Sequence, residues 1–260
     1  MSALVYDIGL HNGGDTHHYL KEGSRVVAVD ANPLMCAAAD DRFRDYIRSG
    51  QLTIINRGVA AQKGQLEFWV CDDHTEWSSF HRDLASRDGA RHHTIAVDCV
   101  PIMDIVDEFG VADYMKIDIE GNDRTCIAGL KNSAAPPYIS IEMDHARGGE
   151  DIQKLAELGY RFFKVICQNN AWHQVTARNL WFYALGPEHF MVRRVKRWRW
   201  TVASRWSGRR FGESGPWGEK TSGAWHSLNH ALTIWRSLHD LDERLGTKGI
   251  GWWFDVHARK

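Results

Sequence analysis

ALVYDIGLHNGGDT, residues 3–16, is the stretch whose reading decides the fold. Residues 3–8 form a short apolar run carrying one aspartate, Asp7, and Gly9 follows. That pattern reads as a buried strand running into a turn. Glycine at the turn lets the backbone bend sharply and come close to a ligand. Residues 15–22 then read as a helix, with Asp15 or Thr16 near its cap.

The alternation continues outward from this unit. RVVAVD (25–30) is a second buried strand, and Asn32-Pro33 opens a helix, with Asn as N-cap and Pro in its first turn. LTIINRGVA (52–60) is a third strand, and QLEFWV (65–70) alternates like a half-exposed one. Residues 72–92 are polar and contain no clear element. HTIAVD (93–98) is a strand, and Pro101 opens a helix to about Phe109. DYMKIDI (113–119) is a strand, followed by Gly121 and a helix near 122–130. PYISIEM (137–143), a helix over 149–158, RFFKVI (161–166) and a final strand NLWFYAL (179–185) complete the series. Strands apolar on both faces, alternating with helices, specify an α/β, Rossmann-like, mostly parallel sheet with helices on both faces.

The chain has 260 residues and 43% are hydrophobic, enough for one large core or a core with an appendage. The composition changes after Gly186, so residues 1–186 are expected to form the main domain and 187–260 an appendage packed on it. Most of the twelve Trp residues lie after Asn170 and need a surface to bury against. The net charge of −1 gives no overall field toward nucleic acid. No apolar run approaches the ~20 residues of a membrane span, and the N-terminus has no basic segment of the secretory kind. Five scattered cysteines without a CxxC pair suit reduced thiols in a cytoplasmic protein.

Open parallel sheets bind ligands beyond the carboxyl ends of their strands. In the loop after the first strand, His11 stands where a dinucleotide fingerprint has its second glycine, so a pyrophosphate would lose its close approach to the backbone. A methionine tail is less demanding: Asp7 suits its amine and the loop amides its carboxylate. Asp30, ending the second strand, is spaced to accept hydrogen bonds from both hydroxyls of a ribose. Its other reading is a helix cap, a role Asn32 already fills.

On these motifs the sequence resembles the FkbM family of methyltransferases, from about Tyr6 to Tyr183. YDIGLHNGGDT (6–16), VVAVDANP (26–33), WSSF (77–80) and MKIDIEGND (115–123) carry the resemblance, and the K-I-D-x-E-G run is the most specific. The chain departs from the commonest glycine loop, which has Asn at the place of His11. The resemblance implies a class I methyltransferase fold with a seven-stranded sheet, S-adenosyl-L-methionine as cofactor and a hydroxyl as methyl acceptor. By position it implies cofactor contacts from Asp7, Gly9, His11, Asn12, Gly13, Thr16, Asp30 and Asn32. It also implies Asn56 to Val59 near the adenine and Ser78 and Ser79 closing over the cofactor.

Methyl transfer from a sulfonium is an in-line displacement, so positioning supplies much of the rate, and a neutral hydroxyl needs a base or a metal. Asp118 and Glu120 lie two residues apart and would project to one side of an extended chain. Glu142, Asp144 and His145 follow the next strand. Asp118 is read as facing the cofactor's methionine end or the acceptor, and Glu120 and His145 as activating the acceptor. Glu120 has a competing reading, bonding the amides of the turn at 121–123, and His145 one as a surface loop residue. Lys116 reads as a structural ion-pair partner. Nothing in the spacing demands a metal. Pro136-Pro137-Tyr138 lacks the Asn of an amino-methyltransferase signature, and the His17-His18 and His92-His93 pairs read as solvated.

Because the chain opens on its first strand, acceptor contacts are expected from residues 72–92 and from the appendage. There Trp198, Trp200 and Trp206 with Arg194, Arg197 and Arg199 would suit a sugar face or an anion, unless these Trp simply form the appendage's core. A small molecule or glycan is the expected acceptor. An RNA acceptor, using the basic 193–210 stretch, and a binding module without turnover are the alternatives.

Overall fold

A computed structural model describes residues 2–144, 146–207, 214–245 and 252–260, with the side chains of 203–207 and 245 outside that description. The chain divides into two compact units, Met1–Ile139 and Ser140–Lys260. This division does not coincide with the expected boundary at 186/187.

The first unit contains β1 (Leu4–Ile8), α1 (Gly14–Lys21), β2 (Arg25–Asp30), α2 (Pro33–Arg42), α3 (Arg44–Arg48) and β3 (Leu52–Asn56). It continues through β4 (Gly58–Val59), β5 (Gly64–Cys71), α4 (Arg82–Ala85), β6 (His92–Val100), α5 (Ile102–Phe109), β7 (Tyr114–Ile117) and α6 (Asp123–Gly129). β1 is central: it pairs in parallel with β2 on one side and β7 on the other, and β3 follows β2, also parallel. All five residues of β1 are buried. Burying side chains such as Val5 and Ile8 stabilises by ~1.5–3 kcal/mol each. That burial fixes the strand and leaves Asp7 as the one acid inside it.

The start signals act as expected. Asn32 caps α2 by accepting the Leu34 amide at 3.0 Å with Pro33 in the first turn, and Pro101 precedes α5. α1 differs: its N-cap is Gly13, in the left-handed region at φ 74°, rather than Asp15 or Thr16. A side chain on Gly13 would meet the Phe43 ring at 2.6 Å.

Residues 52–60, expected as one strand, are two. The chain leaves β3 at Arg57 and enters a separate three-stranded sheet of order β4-β6-β5. Gly58 permits the crossing, since a Cβ there would lie 2.4 Å from the Phe80 ring and 2.7 Å from Cys99 Sγ. Phe68, Val70, Val97 and Cys99 form the core of this small sheet.

The boundary between the units falls within β8 (Tyr138–Glu142). The second unit continues with α7 (Gly148–Glu157), β9 (Phe162–Cys167), β10 (His173–Gln174), α8 (Leu180–Ala184), α9 (Phe190–Ser207), β11 (His226–Ser227), α10 (Leu228–Leu245) and β12 (Phe254–Arg259). Its strand order is β8-β12-β9-β10, with β11 also on β9. Two expectations fail here. NLWFYAL (179–185) is the helix α8, and its strand place is taken by the chain's terminus, β12, antiparallel to β9 from Phe254↔Cys167 to Arg259↔Phe162. The terminal residues are therefore sheet rather than appendage, because FDVHA alternates into a fully buried strand. The described residues also hold more strands than the seven expected. The five cysteines are free and buried.

Candidate active site

The site grows from the carboxyl ends of β1, β2 and β7 in the first unit. Gly9 turns the chain out of β1 at φ 98°, and its amide donates to the Val29 carbonyl at 2.9 Å. A Cβ at this position would lie 1.8 Å from the Asp118 carbonyl oxygen, so only glycine lets these two strand ends approach. His11 has φ 44°, a region where Asn and His are enriched among side-chain-bearing residues. This conformation accounts for His here and for Asn in the commonest form of the loop.

Asp30 holds the loop. One carboxylate oxygen accepts the His11 amide at 2.7 Å and the other the Asn32 amide at 2.8 Å. Burial raises its carboxyl above the ordinary value, and these two amides with the His11 and Lys116 charges oppose the rise. Each oxygen retains acceptor capacity. A desolvated carboxylate of this kind is stabilised by further donors, and two ribose hydroxyls would supply them. By that test the residues present fit an adenosyl group.

Beneath the loop lies a buried ion cluster. Lys116 Nζ donates to the Gly9 carbonyl at 2.8 Å and stands 3.3 Å from Asp7, 3.4 Å from Asp118 and 3.8 Å from Asp15. Asp7 is fully buried, and its other oxygen accepts the Thr16 hydroxyl at 2.6 Å. Asp7 and Thr16 thus organise the loop from below, and Lys116 is the ion-pair partner its strand position suggested. Asp118 is the more accessible acid, with its side chain 13% exposed against 0% for Asp7.

Asp118 and Glu120 do not project to one side of an extended strand. β7 stops at Ile117, and Glu120 has φ 45°. Glu120 instead meets Arg87, which donates to its carboxylate at 2.5 Å. Burial, with repulsion from Asp118 and Asp123, raises the Glu120 carboxyl to about 7 against the opposing pull of Arg87. The Gly121 amide, one of the competing partners for Glu120, donates to Asp123 at 3.2 Å, as does the Ile119 amide. Burial and Asp118 push Asp123 up to about 7 as well.

Residues 72–92 are anchored to this rim. Thr75 Oγ1 lies 3.0 Å from His11 Nε2, and Ser79 Oγ donates to the Glu120 carbonyl at 2.6 Å while accepting the His81 amide at 3.0 Å. Ser78 Oγ accepts the Cys71 amide at 3.1 Å. The paired serines therefore tie the segment in place. Arg87 lies 4.9 Å over the Trp77 ring, which stacks on His74 at 3.9 Å. Asn12 accepts the Gly14 amide at 2.9 Å through its side chain and the Arg42 guanidinium at 2.6 Å through its carbonyl. Asn56 donates to the Asp30 and Ala31 carbonyls at 3.0 and 3.2 Å, and the buried Val59 offers its carbonyl to Asn122.

His145 lies outside the described residues. Asp144, in the second unit, accepts the amides of Ala146 and Arg147 at 2.7 and 3.2 Å ahead of α7. The residues that the sequence reading missed are Arg87, Asp123 and the Asp15 contact to Lys116. Arg87 sits in a run read as loop and meets Glu120 across 33 positions, which no local pattern records.

A 60-residue segment is 40% identical to the ribosomal RNA small subunit methyltransferase H of Gemmatimonas aurantiaca, covering 23% of this chain and 19% of that protein. Among solved structures, a methyltransferase FkbM from Methylobacillus flagellatus is 17% identical with a TM-score of 0.38 over 54% of this chain and 32% of that one. A methyltransferase from Thiobacillus denitrificans, in complex with S-adenosyl-L-homocysteine, is 12% identical with a TM-score of 0.41 over 99% and 84%. The chain thus spans about a fifth and a third of the first two of these proteins. The family described as the methyltransferase FkbM domain matches residues 7–162, from the buried acid of β1 to the first residue of β9. With more than half its length matched, and with Asp7, Asp30, Asp118 and Glu120 all inside the match, this chain belongs to the FkbM methyltransferase family.

Proposed function

We propose that this S-adenosylmethionine-dependent methyltransferase methylates a hydroxyl group on a small molecule or glycan, with Glu120 as the base. The observation that carries the reading is the place of Glu120 on the turn whose Asp118 carbonyl packs against Gly9, where Arg87 donates to its carboxylate at 2.5 Å and burial raises the carboxyl to about 7. A base poised near neutral pH is matched to accept a hydroxyl proton as the oxygen becomes nucleophilic. When bound, S-adenosylmethionine supplies an electrophilic methyl on a sulfonium. Asp30 would hold the ribose hydroxyls, Asp118 the methionine amine, and the Gly9–Gly13 loop the carboxylate. Asp7, Thr16 and Lys116 keep that loop in place. Arg87 holds the Glu120 carboxylate and, with Trp77, offers a cation-backed ring suited to stacking on a sugar face.

The test is to incubate the protein with methyl-labelled S-adenosylmethionine and pools of glycans and hydroxylated small molecules, then identify the labelled bond. A base-stable methyl ether supports the reading, and label on nitrogen or carboxylate refutes it. Glu120→Gln should lower kcat by about 10²–10⁴ while leaving affinity for S-adenosylhomocysteine unchanged. The match to the ribosomal RNA methyltransferase favours RNA as a second acceptor class. Nuclease-sensitive label would establish it in place of the glycan reading.

A further inference from the structure

Helix α9 carries a chemistry unlike the rest of the chain. Between Phe190 and Ser207 lie Arg193, Arg194, Lys196, Arg197, Arg199 and Arg205 with no acid, in a chain of net charge −1. Two of its faces are distinct. On the inner one Val192 is buried, Lys196 lies 5.0 Å over the Trp252 ring, Arg199 lies 5.1 Å over Phe182, and Trp200 meets Trp172 edge-on at 4.7 Å. On the outer one Phe190, Arg194 and Trp198 recur at i, i+4 and i+8, one continuous ridge of a helix. Phe190 is 68% and Trp198 66% exposed, Met191 beside them is exposed too, and Arg193 and Arg197 flank the ridge.

The equally long α10 shows that this is not a general habit of the unit. It balances Arg236 and Arg244 with Asp240, Asp242 and Glu243, and it buries Trp235 to 4% exposure. Large aromatic side chains left in water alongside unbalanced arginines mark a surface that another medium covers.

We propose that the outer ridge of α9 docks on an anionic lipid bilayer. The helix lies in the interface plane, with Phe190, Met191 and Trp198 entering the headgroup boundary and Arg193, Arg194 and Arg197 pairing with lipid phosphates. Charge complementarity selects a polyanionic partner, since the helix carries six cations and no anion. The apolar side chains select lipid over RNA. Successive bases stack on neighbouring rings, whereas Phe190 and Trp198 stand eight residues, ~12 Å, apart along the helix with Arg194 between them and the aliphatic Met191 alongside. A helix of 18 residues is ~27 Å long. No helix among the described residues is long and apolar enough to cross a membrane, so the association is with the surface.

The experiment is co-sedimentation of the full chain with phosphatidylcholine vesicles, with and without phosphatidylserine, at low and high salt. A parallel titration uses single-stranded poly-uridine RNA. The expected result is binding only to vesicles containing phosphatidylserine, weakened by salt. Arg193→Gln/Arg194→Gln/Arg197→Gln should lower that affinity about 100-fold, from ~1 kcal/mol per arginine at the surface. Phe190→Ala/Trp198→Ala should lower it roughly tenfold. The three-lysine counterpart should retain it, which separates charge from misfolding. Absence of sedimentation with phosphatidylserine vesicles, or sedimentation untouched by both multiple variants, would overturn the proposal. So would RNA binding tighter than vesicle binding.

Discussion

Two buried lysines, one in each unit, sit on strands and have opposite surroundings. Lys116 is 3% exposed and has Asp7, Asp15 and Asp118 within 4 Å. Lys164 is 2% exposed, donates to the Thr221 carbonyl at 2.9 Å, and lies 4.3 Å over the Trp225 ring. Burial lowers the Lys164 ammonium below its ordinary value, with Glu219 opposing and Arg259 adding to the fall. Its cross-strand neighbour His257 is pushed down to about 3 by burial and by the Lys164 charge. The first unit therefore concentrates negative charge around a cation, while the second drives its own buried bases toward neutrality. A charge held by three partners is built to be permanent and to organise a loop. A charge held by a carbonyl and a ring is a packing feature with a polar end.

Lys116→Met is expected to have the largest effect, because it leaves three acids buried without their cation. The loss should be about 3–5 kcal/mol in denaturant unfolding, and a loss below ~1 kcal/mol would break the contrast at its stronger end. Asp30→Ala comes next. If Asp30 holds the ribose, calorimetry should show S-adenosylhomocysteine binding weakened by roughly 1.4–2.8 kcal/mol, one to two orders of magnitude. Unchanged affinity would remove Asp30 from the cofactor site.

Titration sharpens the comparison further. Glu120 and Asp123 are raised to about 7, so between about pH 4 and 7 the folded chain binds more protons at these groups than the unfolded chain, and their contribution to stability falls as pH rises. His257 is depressed to about 3, so between about pH 3 and 6.5 the unfolded chain binds more protons there, and stability from that group is lost as pH falls. On going from pH 7 to pH 5, hydrogen-exchange protection factors, taken relative to the intrinsic rate at each pH, should rise around β7 and α6 and fall around β9 and β12. The same direction of change at both places would refute the opposition. The kcat profile should rise through about pH 7 as Glu120 ionises. Arg87→Gln should move that rise to higher pH, since Arg87 favours the charged form. Lys164→Met should have the smallest effect, within about 1 kcal/mol, because the thioether keeps the packing on the Trp225 ring, and the loss of one hydrogen bond and the cation–ring contact is offset by no longer burying an ammonium.

The same division separates what could be read from the sequence. The parallel β1-β2-β3 set with its caps at Asn32 and Pro101 was legible, because apolar runs, Gly9 and proline act over a few residues. So was the placing of Asp7, Asp30 and Asp118 at strand ends. The break at Gly58 was not, since it depends on Phe80 and Cys99 lying beneath it. NLWFYAL carries the composition of a buried strand yet forms α8, and the strand expected there lies more than 70 residues on at Phe254–Arg259. Glu120 was singled out by its place on an extended chain, which its left-handed backbone cancels. Its partner Arg87 lay in a stretch with no periodicity to mark it.

The absent Cβ of Gly9 has a mechanical consequence. With the Asp118 carbonyl filling the volume where a side chain would begin, the hinge of the glycine loop and the stem of the Glu120 turn cannot shift independently. A displacement at one is transmitted to the other at van der Waals contact, so whatever settles the loop also sets the position of Glu120.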